Sequence, residues 1–143
     1  MTEPIWFSGV DVDALNAGRA EDINGHLGIE ITAFGPDWLE GHMPVDHRTR
    51  QPMGILHGGA SVVLSETLGS VAANLCVDRA TSFCVGQEVN ANHLRSVTRG
   101  FVTAVARPLH LGRTSQVWGI EIKDGDGRPT CISRLTMAVV LRR

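Results

Sequence analysis

From Gly58 to Val77 the chain reads GGASVVLSETLGSVAANLCV, in which every residue except Glu66 is small, apolar or uncharged. A surface helix sets one apolar stripe against a charged face, and a helix without that charged face is wrapped on most sides by the rest of the protein. The pattern predicts a central, enclosed helix over residues 58–77. Downstream the period changes to two. Phe83, Val85, Val89 and Ala91 fall on one face of an expected strand, and residues 101–106 read as another, with Arg99-Gly100 as the break. Trp118, Ile120 and Ile122 alternate with Glu121 and Lys123 ahead of Asp124-Gly125-Asp126-Gly127, the strongest turn signal in the chain. Cys131, Leu135, Met137, Val139 and Leu141 then alternate on the returning strand. Upstream, residues 29–34 and 39–45 flank Gly35-Pro36-Asp37 as a first hairpin. A short helix capped by Asp11 or Asp13 opens a helical segment spanning about residues 10–27. The polar stretch Asp46–Leu56, with Pro52 and Gly54, reads as a loop leading into the central helix.

Short connections force antiparallel pairing. A sheet of five or six such strands must cover one apolar face, and only the 58–77 helix is long and apolar enough to do so. The expected fold class is therefore α+β, a curled antiparallel sheet around one long helix, in a single domain over residues 1–143.

Composition narrows the function. With 43% hydrophobic and 20% charged residues, 143 residues suffice for one packed core. A formal net charge of −2 gives no reason to expect nucleic acid or an anionic membrane surface as partner. Cys76, Cys84 and Cys131 each sit in an apolar run without C-x-x-C spacing, and read as small buried thiols. The six histidines show no H-x-x-x-H pattern, so no metal site is expected. The N-terminal MTEPIWFSG lacks the basic and apolar regions of a secretory signal, and no run has the length of a membrane span, which places the expected protein in the cytoplasm.

The candidate chemistry centres on the helix. A buried carboxylate without a partner loses solvation, so Glu66 is either paired structurally or kept for acid/base or nucleophilic work. Ser70, four residues on, lies on the same face. His57-Gly58-Gly59 stands where loop becomes helix; the unpaired first amides could polarise a carbonyl, or His57 could simply cap the helix while the glycines permit tight packing. Eight residues separate Gly58 from Glu66, about 12 Å along a helix axis, too far to act on one small group within a single chain. Across a two-fold axis the two could meet. His93, Arg95 and Ser96 end one strand in a polar cluster, and His110, Gly112 and Arg113 form a second at a turn; the arginines could grip phosphates or be merely solvated. No G-x-S-x-G elbow, P-loop or G-x-G-x-x-G is present.

Four fragments, MPVDHRTRQPMGILHGGASVVLSETLGS, VGQEVNANHLRS, PLHLGRTSQVWGIEI and SRLTMAVV, resemble in residues, order and spacing the hotdog-fold acyl-CoA thioesterases. The resemblance covers nearly the whole chain. It lies in the branch holding the phenylacetate-pathway, one type of 4-hydroxybenzoyl-CoA and the menaquinone-pathway 1,4-dihydroxy-2-naphthoyl-CoA thioesterases, and is strongest to the last. It implies a hotdog fold, dimers joined edge to edge, and pairs of dimers forming a homotetramer with active sites at the subunit interface. It implies Glu66 as general base or nucleophile, with the Gly58 amide of the neighbouring subunit polarising the thioester carbonyl. Gln51 and His57 would lie near the thioester, and Ser70 would help place water. His93, Arg95 and Ser96, with His110, Gly112 and Arg113, would approach substrate or the CoA arms. Met53, Asp78-Arg79-Ala80 and Thr81-Ser82-Phe83-Cys84 depart from relatives and bear on acyl-pocket shape.

The expected activity is hydrolysis of an aromatic or medium-chain acyl-CoA to the free acid and CoA, without metal or organic cofactor. Alternatives from other classes are a non-catalytic acyl-CoA sensor and an enoyl-CoA hydratase, whose paired Asp and His are not evident in this chain.

Overall fold

The computed structural model describes residues 2–18 and 21–143. Two short helices, α1 (Val12–Asn16) and α2 (Ile23–Leu27), precede β1 (Glu30–Phe34) and β2 (Leu39–Pro44). The central helix α3 (Gly58–Leu75) follows, then β3 (Ser82–His93), β4 (Phe101–Leu111), β5 (Ser115–Lys123) and β6 (Pro129–Leu141). The six strands form one antiparallel sheet in the order β1-β2-β4-β5-β6-β3. No helix among the described residues is long and apolar enough to cross a membrane.

The helix is enclosed because its own side chains are the core. Leu64, Leu68, Ala72 and Ala73 are fully buried against Val102, Ala104, Trp118, Ile120, Leu135 and Met137 of the sheet. Burial of a leucine of this kind stabilises by about 1.5–3 kcal/mol. Two of the hydroxyls sheltered with them pair: Ser133 donates to Ser65 Oγ at 2.8 Å within the same layer. Trp6 stacks on Trp118 at 6.5 Å between ring centroids and donates its indole N–H to the Gly35 carbonyl, tying the N-terminal arm to the sheet.

Five expectations need correction. The helical segment over about residues 10–27 is two five-residue helices, each capped by an aspartate: Asp11 accepts from Ala14 N–H and Asp22 from Gly25 N–H. Residues 19–20, at its middle, lie outside the described residues. The central helix stops at Leu75, with Cys76 as its C-cap, two residues before the expected end. On β3 the face assignment of Phe83 and Val85 is reversed. Gly86 pairs with Met137 and Glu88 with Thr136, so Gln87 is an extra, bulged residue. The bulge swaps parity: Cys84 and Gly86 face the helix before it, Val89 and Ala91 after it, and Val85 is left 44% exposed. Finally, the strand begun at Phe101 runs on to Leu111 through a second bulge between Pro108 and His110, and the last residue of β6, Leu141, points to solvent.

The two sheet edges differ. At β1, Asn16 mimics a neighbouring strand by donating to the Ile31 carbonyl and accepting from its N–H, both at 2.8 Å. On β3, Asn74 of α3 does the same for Cys84, at 3.1 and 2.9 Å. From Gly86 to His93 the outer edge of β3 has no backbone partner among the described residues.

Candidate active site

The N-terminus of α3 leaves one amide unused. His57 caps it, its Nδ1 accepting from Gly59 N–H at 2.8 Å, and the His57 carbonyl accepts from Ala60 and Ser61 at 3.0 and 3.3 Å. The Gly58 N–H has no acceptor among the described residues. It sits at the positive end of an 18-residue helix, the place where a donor best stabilises negative charge. The capping reading of His57 is thus realised, and with Nδ1 accepting, the neutral ring carries its proton on Nε2.

Around this amide is a cleft of about 400 Å³ lined by Gln51, Gly58, His93, Arg95 and Ser96, with Ile55 and Leu56 as its apolar wall. His93, the last residue of β3, lays its ring across the helix start. A side chain at position 58 would come within 2.8 Å of His93 Nε2, so the missing Cβ is what lets the imidazole and the free amide share a surface. Gln51 is set by its own turn: its N–H donates to the Ile55 carbonyl at 2.8 Å, and its side-chain oxygen accepts from Met53 N–H. Its amide nitrogen has no acceptor among the described residues.

Glu66 and Ser70 lie elsewhere, in a second cleft of about 350 Å³ shared with Val63, Thr67 and Val71 of α3 and Ile23 and Asn24 of α2. Glu66 is half-buried, and its carboxylate makes no hydrogen bond or ion pair among the described residues. The structural alternative, pairing with a buried arginine or a backbone amide, has no counterpart among the described residues. Oε1 packs directly over Gly86, in the space a Cβ would take. The Ser70 hydroxyl is likewise without a partner among the described residues, one helical turn along the same wall.

His110, Gly112 and Arg113 line neither cleft. Their turn joins β4 to β5 two strands away from β3: Leu111 lies opposite Gln116, Gln116 opposite Met137, and Met137 opposite Gly86. His93, by contrast, is at the far end of the sheet, level with Cys131 and Ile122. The two polar clusters therefore occupy opposite ends of one chain's sheet.

Burial pushes the Cys76 thiol up to about 12, with nearby Cys84 adding to the shift, and burial also raises Cys84 and Cys131. No group of three or more His, Cys, Asp or Glu side chains among the described residues is arranged to hold a metal ion.

Three contributors escaped the sequence reading. Gly86, under Glu66, is signalled by glycine inside a strand, the mark of a bulge or a close approach. Thr67 and Asn24, joined by a 2.8 Å hydrogen bond, are 43 positions apart and carry no local signal.

Comparison with known proteins identifies the family and the fold. Residues 53–131 match the Thioesterase superfamily model. The chain is 57% identical over 136 residues to the Pseudomonas aeruginosa protein PA1618, covering 95% of this chain and 94% of that one. The crystal structure of a mutant of thioesterase PA1618 superposes with a TM-score of 0.95 at 55% identity, covering 96% of this chain and 99% of that chain. The 1,4-dihydroxy-2-naphthoyl-CoA hydrolase of Escherichia coli is 52% identical over 136 residues, 95% of this chain and 99% of that protein. Proofreading thioesterase EntH of Cronobacter turicensis is also 52% identical, over 95% of this chain and 98% of its own length. A helix wrapped by one antiparallel sheet, a free amide at its start and these relatives lead to one assignment: the chain belongs to the thioesterase superfamily and has its hotdog fold.

Proposed function

We propose that this protein hydrolyses an acyl-CoA thioester to a free carboxylic acid and CoA, at a site composed from two subunits. Glu66 of one acts as general base or nucleophile, and the Gly58 amide of the other polarises the thioester carbonyl. One observation carries the reading: a half-buried carboxylate and a helix-start amide, each without a hydrogen-bond partner among the described residues, mark the two ends of the same open strand edge. Glu66 packs on Gly86, where the unpaired stretch of β3 begins, and Gly58 lies under His93, where it ends. Antiparallel pairing of two such stretches about their midpoint sets Gly86 against His93 of the partner subunit. Glu66 is thereby delivered to the cleft of the second copy, removing the separation of about 12 Å along one helix.

In that cleft the thioester oxygen takes the Gly58 N–H, and Gln51, which lines the same cleft, offers its amide nitrogen as a second donor. Water, activated by Glu66 and oriented by Ser70, adds to the carbonyl carbon. Collapse breaks the carbon–sulfur bond, and the departing thiolate takes up a proton to leave CoA and the acid. On the alternative course Glu66 attacks first and water hydrolyses the resulting anhydride. Arg95 and Ser96, beside the amide, suit the pantetheine and phosphate arms. The name of the Escherichia coli relative supports an aromatic acyl group. Assembly of two dimers into a tetramer, and a cytoplasmic setting compatible with three free thiols, belong to the same reading.

The test is thiol release from a panel of aromatic and aliphatic acyl-CoAs by wild type and Glu66→Gln. Wild-type turnover with a loss of a hundredfold or more in a folded variant, the scale of a lost base, is expected. Binding of CoA esters without thiol release from any of them would instead make the protein a sensor.

A further inference from the structure

We infer that Asn24 is a specificity-determining residue that reads an oxygen substituent on the acyl group; the inference rests on the thioesterase reading above and concerns the same cleft. The cleft holding Glu66 is walled on one side by α3, through Val63, Thr67 and Val71, and on the other by α2, through Ile23 and Asn24. An acyl chain whose carbonyl carbon is within reach of Glu66 has this space in front of it. Most of the wall is apolar, and Asn24 and Thr67 are its polar exception beyond the reacting groups.

Asn24 is fixed from both sides of its backbone and side chain. Its carbonyl accepts from Ile29 N–H at 2.8 Å, and its Oδ1 accepts from Thr67 Oγ1 at 2.8 Å. Just beyond, Gly28 ends α2 at φ +71°, a left-handed conformation that suits glycine, and packs where a Cβ would lie 2.9 Å from Pro44. The five-residue helix is thus pinned to the body of the protein at its side and at its end, despite being too short to be stable alone. With Oδ1 engaged by Thr67, the Nδ2 group of Asn24 has no acceptor among the described residues. A held donor that borders an otherwise apolar cavity discriminates by what it loses. An acyl group presenting a hydroxyl or carbonyl oxygen satisfies it, whereas the analogue lacking that oxygen strips its water and leaves it unpaired. Asn24 is therefore the residue assigned to tell an acyl group bearing such an oxygen from one without it.

The measurement is kcat/KM for benzoyl-CoA and for the three monohydroxybenzoyl-CoA isomers, taken as the ratio of the best hydroxylated substrate to benzoyl-CoA. Wild type is expected to favour one isomer by roughly tenfold or more, the scale of one hydrogen bond. Asn24→Leu should bring that ratio close to one, and Thr67→Val, which releases the carboxamide while leaving it in place, should lower it part of the way. The second variant lies on α3 and keeps the test valid if Asn24→Leu does not fold. A wild-type ratio near one for every isomer, or a high ratio that survives in the folded variants, overturns the inference and leaves the thioesterase reading standing. Absence of thiol release from all four substrates and from the wider panel removes both.

Discussion

Glu66 owes its position to what is missing opposite it. Its carboxylate rests on Gly86, so a methyl group there must displace the acid or push β3 outward. Misplacement of a reacting group by about 1 Å costs up to a hundredfold in rate. Gly86→Ala is therefore expected to lower kcat by roughly ten- to a hundredfold with little change in melting temperature, because the strand's outer face there is exposed. Steady-state kinetics beside a thermal melt checks both halves; unaltered kcat in a folded variant would mean that the carboxylate does not depend on this contact. At this scale much was legible in the sequence. Glu66 stood out as the one charge in an apolar helix, and Gly58 as the opening of that helix. Resemblance put Gln51 near the thioester and His93 in a strand-end region approaching substrate or the CoA arms; both side chains line the cleft around Gly58. Asn24 was not legible, since its partner Thr67 is reached only after two strands and a loop have folded back.

At the scale of elements, the approach of α3 to the sheet depends on Gly69. A Cβ at that position would lie 2.5 Å from Leu135 Cδ2, on a side chain with no exposed surface into which to turn. Alanine gains up to about 1 kcal/mol of helix propensity over glycine. Overpacking a filled core costs about 1–3 kcal/mol, so the clash outweighs the gain. Gly69→Ala should destabilise by about 1–2 kcal/mol, read as an earlier denaturation midpoint at unchanged slope. The turn that presents Gln51 depends on Asp46, whose backbone carbonyl accepts from Thr49 and Arg50 at 3.0 Å. The Arg48 guanidinium, hydrogen-bonded to Asp46 at 2.8 Å, holds that carboxyl down at about 2, helped by the Arg48 backbone N–H. A carboxyl held below its unfolded value adds stability above that value, near pH 4, and loses it as pH falls towards 2. Because the pair is at the surface, the effect is under about 1 kcal/mol. Asp46→Asn should therefore destabilise slightly at pH 7 and not at pH 2, measured by denaturation at both. Elements were well forecast where periodicity was unbroken, as in β5 and α3. The face assignment on β3 failed because one extra residue, Gln87, reverses inside and outside without any change in composition.

For the whole molecule, the sheet's edges carry the proposal that a complete site takes two chains. Asn16 closes the β1 edge at Ile31 and Asn74 the first part of the β3 edge, and the remaining stretch from Gly86 to His93 is long, without a backbone partner among the described residues, and bordered by Glu66 at one end and Gly58 at the other. Unpaired strand edges are templates for another strand. Sequence periodicity could show that β3 was a strand, but its position at an edge depends on strand order, which local pattern does not encode. The division of labour across this edge is the central claim, and it is tested most directly by mixing two defects. Glu66→Gln removes the acid; Gly58→Pro removes the amide N–H at the first helical position, where the proline backbone fits, and its ring displaces His93 within the same cleft, so both of its effects fall on the Gly58 side of the site. Each homodimer should be nearly inactive. In a differentially tagged heterodimer of the two variants, one site carries both defects and the other neither, so thiol release should recover to about half of wild type per dimer. If Glu66 and Gly58 serve a site within one chain, every site in that heterodimer carries one defect, and it will be as inactive as its parents.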